Sequence, residues 1–232
     1  MEEKHTECTE KCACTHTFLC IPQGAFEKAP LILGWKKLER FCGRQMTNIR
    51  EFINKNVVGT QYEWESHYEN IKYLCNKNLK AFNPDTFLDV GCGNGERTIR
   101  IAKHFQIDLM KTYGLDSNEK QIIECRNTLN AEIVDLEVTD IPYEDNTFDL
   151  VICNQVLEHL KNYKKVVLEI IRVTKKNGYI ILGIPNLAHL INRIYLLFGI
   201  QPMCIAIDSD HVRGFTIGVL LKCLELLIKS NS

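Results

Sequence analysis

The stretch TFLDVGCGNGERT, residues 86–98, sets an apolar run and an acid directly before three glycines at alternate positions, with a helix-like run behind them. Glycines at that density let the main chain approach a ligand closely and take backbone angles that other residues avoid. The N–H groups that open the following helix have no partner inside it and remain free to bind a nucleotide-like molecule. A strand feeding a helix through such a turn commits the chain to a layered α/β fold.

The sequence on either side fits that commitment. Short apolar runs alternate with helical stretches, the pattern of a parallel sheet covered on both faces. Strands are expected at residues 86–90, 111–115, 132–138, 148–153 and 179–184, with helices at 96–105, 119–129 and 156–173. Asn118 caps the second helix, with Gln121 reaching back as in a capping box. Lys175-Lys176-Asn177-Gly178 reads as a helix end and a turn launching the last of these strands. Asp116 closes the second strand, where a carboxylate accepts hydrogen bonds from a ribose diol.

Before this core, residues 31–83 carry a helical pattern and read as a helical cap, while 84–232 hold the ligand-binding core. Residues 1–30 read as a cysteine-rich flexible tail. Cys8, Cys12, Cys14 and Cys20 lie there with His5 and His16, but their spacing is not that of paired C-x2-C ligands, so no metal site is expected.

Among 232 residues, eleven cysteines are scattered and Met1–Glu10 is polar rather than leader-like, which points to reduced thiols and a cytoplasmic location. A net charge of -1 gives no bias toward nucleic acid. The most apolar region, 179–207, is interrupted by Pro185, Asn186, His189, Asn192, Arg193 and Pro202, so no membrane span is expected.

The glycine spacing G-x-G-x-G differs from the G-x-G-x-x-G of dinucleotide folds, which argues against a nicotinamide-dependent oxidoreductase, and no Gly-Lys-Ser/Thr follows as in a P-loop. From about Tyr62 to Leu227 the chain resembles the class I S-adenosylmethionine-dependent methyltransferases, of Rossmann-like fold. FLDVGCGNG, YGLD, LEVTDIPYEDNTFDLVICNQVLEHL and RVTKKNGYIILGIPN match four family motifs in order.

That resemblance implies S-adenosyl-L-methionine as cofactor and methyl transfer to a small-molecule acceptor as activity. It places Asp89, Gly91, Cys92, Gly93 and Gly95 at the methionine end, and Asp116 and Ser117 at the ribose and adenine. Glu137 and the backbone of Val138 face the adenine, with Asn154 and Gln155 beneath the methyl. Glu158 and His159 in VLEHL, and His211 in the similar HVRGFT run, are the candidate bases near the acceptor. Relatives continue past the helix near Val219 with two further strands, whereas this sequence stops at Ser232. The sheet is therefore expected to carry an open edge beyond its fifth strand, and to self-associate there, unless the N-terminal region or another chain covers it. A non-catalytic S-adenosylmethionine-binding protein is the alternative.

Overall fold

The strand that enters the glycine turn is buried along its whole length, which is what the unbroken run Phe87–Val90 encodes. The computed structural model describes residues 16–22, 68–69, 71–73, 82–197, 201–205 and 209–231. The strands are β1 (His16–Pro22), β2 (Phe87–Val90), β3 (Thr112–Asp116), β4 (Asn130–Ile133), β5 (Phe148–Asn154) and β6 (Thr174–Pro185). The α-helices are α1 (Glu96–Phe105), α2 (Glu119–Cys125), α3 (Tyr163–Val173), α4 (Leu190–Leu197) and α5 (Ile217–Asn231), with single 3-10 turns at Leu109–Lys111 and Met203–Ile205.

These strands form one sheet of order β1-β6-β5-β2-β3-β4. β2 to β6 run parallel, as a Rossmann-like α/β fold requires, and β1 alone is antiparallel. Period-two alternation sends Leu88, Val90, Val151 and Leu182 to one face, against Val166 and Ile170 of α3 and Leu220 and Leu224 of α5. Phe87, Ile152 and Ile181 point to the other, against Ile101 and Ala102 of α1 and Ile71. Of the expected helical cap, Tyr68–Glu69 and Ile71–Tyr73 are helical, Phe82 and Asn83 are not, and the rest lies outside the described residues.

The chain runs from β2 outward to β3 and β4, then returns across the sheet to place β5 on the other side of β2. Ligands of open α/β sheets bind at the carboxyl ends of the strands that flank such a reversal. The opposite end is tied shut: Asp149 Oδ2 accepts hydrogen bonds from the N–H of Asp85, the N–H of Thr86 and the Thr86 hydroxyl, and pairs with Lys175 at 3.0 Å.

Several expectations change. The edge beyond β6 is covered, because β1 pairs with it from His16↔Pro185 to Pro22↔Tyr179. His16 and Cys20, assigned to a flexible tail, thus lie in a strand, while His5, Cys8, Cys12 and Cys14 lie outside the described residues. The strand expected at 132–138 is displaced to Asn130–Ile133, because Asp135 starts a turn, its side chain accepting from Glu137 N–H and its carbonyl from Thr139 N–H. The expected turn at Lys175–Gly178 is absorbed into β6 as extra residues looped out beside Asp149. The capping box is half formed: Asn118 Oδ1 accepts from Gln121 N–H, but Asn118 N–H goes to Asp116 Oδ1.

Phe148 is fully buried, and its ring meets those of Tyr113 at 5.3 Å and Tyr143 at 5.1 Å. Phe148→Ala is expected to lower unfolding free energy by about 3–5 kcal/mol, read as a lower urea midpoint with unchanged slope.

Candidate functional site

Three left-handed glycines shape the loop between β2 and α1, with φ of 81° at Gly91, 57° at Gly93 and 82° at Gly95. At Gly91 space forbids a side chain as well, since a Cβ there would lie 2.2 Å from Val156 Cγ2. The loop is laced to the end of β3, with Gly91 N–H and Cys92 N–H both donating to Leu115 O. Gly93 N–H donates to Asp116 Oδ2 at 2.9 Å. Asp116, half-buried at the carboxyl end of β3, therefore holds the loop with one carboxylate oxygen and Asn118 N–H with the other.

Asp89, the last residue but one of β2, is fully buried. Its Oδ2 accepts from the Thr98 hydroxyl at 2.5 Å and lies 4.0 Å from Arg97 Nη2, while its Oδ1 is buried without a hydrogen-bond partner among the described residues. Burial raises its pKa above the ordinary carboxylate value, against the opposing pull of Arg97 and Thr98. On the neighbouring strand end, Asn154 is buried with both side-chain amide atoms unpartnered, and Gln155 follows with φ 59° and a buried, unpartnered Nε2. Two adjacent strand ends thus present polar atoms that the described protein groups leave unsatisfied, in a place where an unmade hydrogen bond is costly.

Beyond β5 the chain does not continue into a helix as expected. Residues 157–159 form a turn and α3 begins only at Tyr163. Distant partners hold this segment open: Glu158 O accepts Val212 N–H at 2.9 Å, and the Glu137 carboxylate takes Lys161 N–H. The turn brings together Glu158, His159 and His211, whose ligand-type atoms lie within 4.8 Å of one another. Glu158 is fully buried with neither carboxylate oxygen partnered among the described residues, and burial pushes its pKa up to about 7. The His159 and His211 rings meet edge to face at 4.7 Å, and burial followed by His211 lowers the His159 pKa. His189 is not part of this group; it precedes α4, with its N–H on Asn186 O.

Some expected site residues sit differently. The Cys92 side chain turns into the core, its Sγ 4.0 Å from that of Cys125, so that only its backbone borders the loop surface. The hydrogen bond to Cys125, then burial, raises the Cys92 thiol pKa. Val138 N–H is spent on Asp135 O, which leaves its 73% exposed side chain toward solvent. Ser117 is exposed, and Glu137 half-buried. Thr98 and Arg97, partners of Asp89, escaped the sequence reading; their position on the first turns of the helix after the glycines was the available signal.

Residues 88–182 match the family model described as "Methyltransferase domain". An uncharacterized protein of Methanocaldococcus jannaschii is 34% identical over 177 residues, covering 72% of this chain and 70% of its own. A demethylmenaquinone methyltransferase of Bacillus mycoides is 37% identical over 100 residues, 40% of this chain, and the match spans only 42% of that relative's length. The crystal structure of a SAM dependent methyltransferase from Archaeoglobus fulgidus shares the fold with TM-score 0.52 at 23% identity, over 69% of this chain and 68% of its own.

Gly91→Ala is expected to cost roughly 1–3 kcal/mol in backbone strain alone, with the Val156 clash added, seen in chemical denaturation. For Asp89 the sign follows from its raised pKa. The folded state keeps the proton longer than the unfolded chain, so this stabilisation is present at low pH and lost as pH rises from the ordinary 3.8 toward the folded value. Relative to Asp89→Asn, wild-type unfolding free energy should therefore fall as pH rises above the ordinary 3.8; parallel profiles would contradict the buried carboxyl.

Proposed function

Because this chain belongs to the class I S-adenosylmethionine-dependent methyltransferases, we propose that it transfers a methyl group from S-adenosylmethionine to a small-molecule acceptor. One observation carries the reading: Asp89 Oδ1 and the Asn154 amide, unpartnered among the described residues, sit on neighbouring strand ends beside a glycine turn that tolerates no side chain at Gly91. A cationic sulfonium with an amino-acid tail is matched by such a donor set, since a buried carboxylate and an amide lack the partners that the tail provides.

In this assignment Asp89 and the main chain of Gly91, Cys92, Gly93 and Gly95 hold the methionine end. Asp116 takes the ribose hydroxyls: each carboxylate oxygen already accepts one N–H and has a further lone pair. Ser117, Glu137 and the exposed Val138 border the adenine, Glu137 keeping a second carboxylate oxygen beside the one on Lys161 N–H. Asn154 and Gln155 form the floor beneath the methyl.

When bound, S-adenosylmethionine supplies a methyl on a sulfonium that is already a good electrophile. The protein's work is alignment of the incoming nucleophile and exclusion of water. Glu158 and His159, at the turn after β5, and His211, in the loop before α5, stand on the acceptor side as the polar groups that meet it. A small acceptor agrees with the demethylmenaquinone for which the Bacillus mycoides relative is named.

Titration calorimetry with S-adenosylhomocysteine tests the cofactor assignment. Wild type should bind, and Asp116→Ala should bind at least about 100-fold more weakly, because two charge-assisted hydrogen bonds are worth roughly 3–5 kcal/mol. A folded wild type that takes up no S-adenosylhomocysteine would remove the reading.

A further inference from the structure

The geometry points to a divalent-cation site formed by Glu158, His159 and His211. The three side chains come from two segments far apart in sequence, the turn after β5 and the loop before α5, joined by the hydrogen bond from Val212 N–H to Glu158 O. Their ligand-type atoms all lie within 4.8 Å of one another. Ligands on one ion with bonds of about 2.1 Å are at most about 4.2 Å apart, so side-chain adjustments on the order of an ångström complete the site.

Three further features fit a cation. His159 Nδ1 lies 3.2 Å from Asp210 O, and His211 Nδ1 lies 3.1 Å from Cys204 O. A carbonyl only accepts, so each Nδ1 carries the proton and each Nε2 keeps its lone pair, the arrangement that orients metal-binding imidazoles. Glu158 is fully buried, yet neither of its oxygens has a hydrogen-bond partner among the described residues. An acid placed there for packing alone would be expected to find one. Finally, the burial is graded, with Glu158 buried, His211 intermediate and His159 exposed, so an ion would enter from the solvent side.

Two imidazoles and one carboxylate suit a borderline ion such as zinc, cobalt, manganese or iron in the divalent state, more than calcium or magnesium, which take oxygen ligands. Three protein ligands leave coordination positions open for water or an acceptor oxygen. The site goes beyond the methyl-transfer reading and does not depend on bound S-adenosylmethionine.

The probe is cobalt(II), added to full-length protein that has been stripped with chelator and reduced. Its absorption separates nitrogen and oxygen ligands from thiolates, which matters because Cys8, Cys12 and Cys14 offer a competing set. Wild type should bind cobalt with d–d bands free of thiolate charge transfer. Glu158→Gln and His211→Gln should weaken that binding at least about tenfold, with circular dichroism unchanged and S-adenosylhomocysteine titrated separately on the same samples. His159→Gln alters an exposed side chain and keeps the question open to test should a buried variant misfold. Absence of cobalt binding by folded wild type, or binding through thiolates that His159→Gln leaves intact, overturns the site.

Discussion

The reversal of strand order at β2 is the constraint on which the rest depends. Because β3 lies to one side of β2 and β5 to the other, the connections leave in opposite directions and leave a crevice at the carboxyl ends between them. Asp89, Asn154 and the glycine loop are brought to that crevice by pairing alone, Asp89↔Ile152 and Val90↔Cys153 fixing the relative height of the two strand ends. The sheet has to be buried on both faces for this to hold, and the two apolar layers beneath α1 and beneath α3 and α5 supply that burial.

Within the crevice the loop is shaped by hydrogen bonds before any ligand arrives. Leu115 O and Asp116 Oδ2 take three successive kinds of loop N–H, those of Gly91, Cys92 and Gly93, so the left-handed glycines are held by the end of β3 rather than left to find their shape. Pre-forming the loop lowers the ordering cost of binding. It also explains Cys92, the one side chain between the first two glycines. It is turned inward against Cys125 and above Gly114, where a Cβ would come within 2.7 Å of its sulfur.

Much of this was legible because it is local. An apolar run, alternate glycines and an acid at a strand end each carry their meaning within a few residues, and Asn118 capped α2 as its side chain predicts. What escaped was decided by distant partners. HTFLCIP has no alternation to mark it as a strand, and it becomes one by pairing with β6, more than 150 residues away. VLEHL has helical spacing but remains a turn, because Val212 and Glu137 take main-chain groups at Glu158 and Lys161. The proximity of His211 to Glu158 is likewise a property of the fold. The sequence nominated these residues separately; the hydrogen bonds across the two segments, from Val212 N–H to Glu158 O, between His159 Nδ1 and Asp210 O and from Arg213 to Lys161 O, make them one group.

The turn at 157–159 has an electrostatic consequence. A carboxyl that continued a solvent-facing helix would stay near its ordinary acidity, whereas Glu158 is pressed beneath the surface with its oxygens unpaired and its pKa pushed up to about 7. Folding accepts this cost although the neighbouring chain is amply bonded: Arg213 donates to Lys161 O, Lys161 N–H reaches Glu137, and Tyr163 stacks under Arg213 at 4.4 Å. Arg213, the nearest guanidinium in sequence to His211, is thus directed away toward Lys161 and Tyr163 instead of neutralising Glu158. A carboxyl buried without a cation among the described residues, while the nearby arginine is committed elsewhere, is satisfied either by keeping its proton or by a compensating charge from outside the chain.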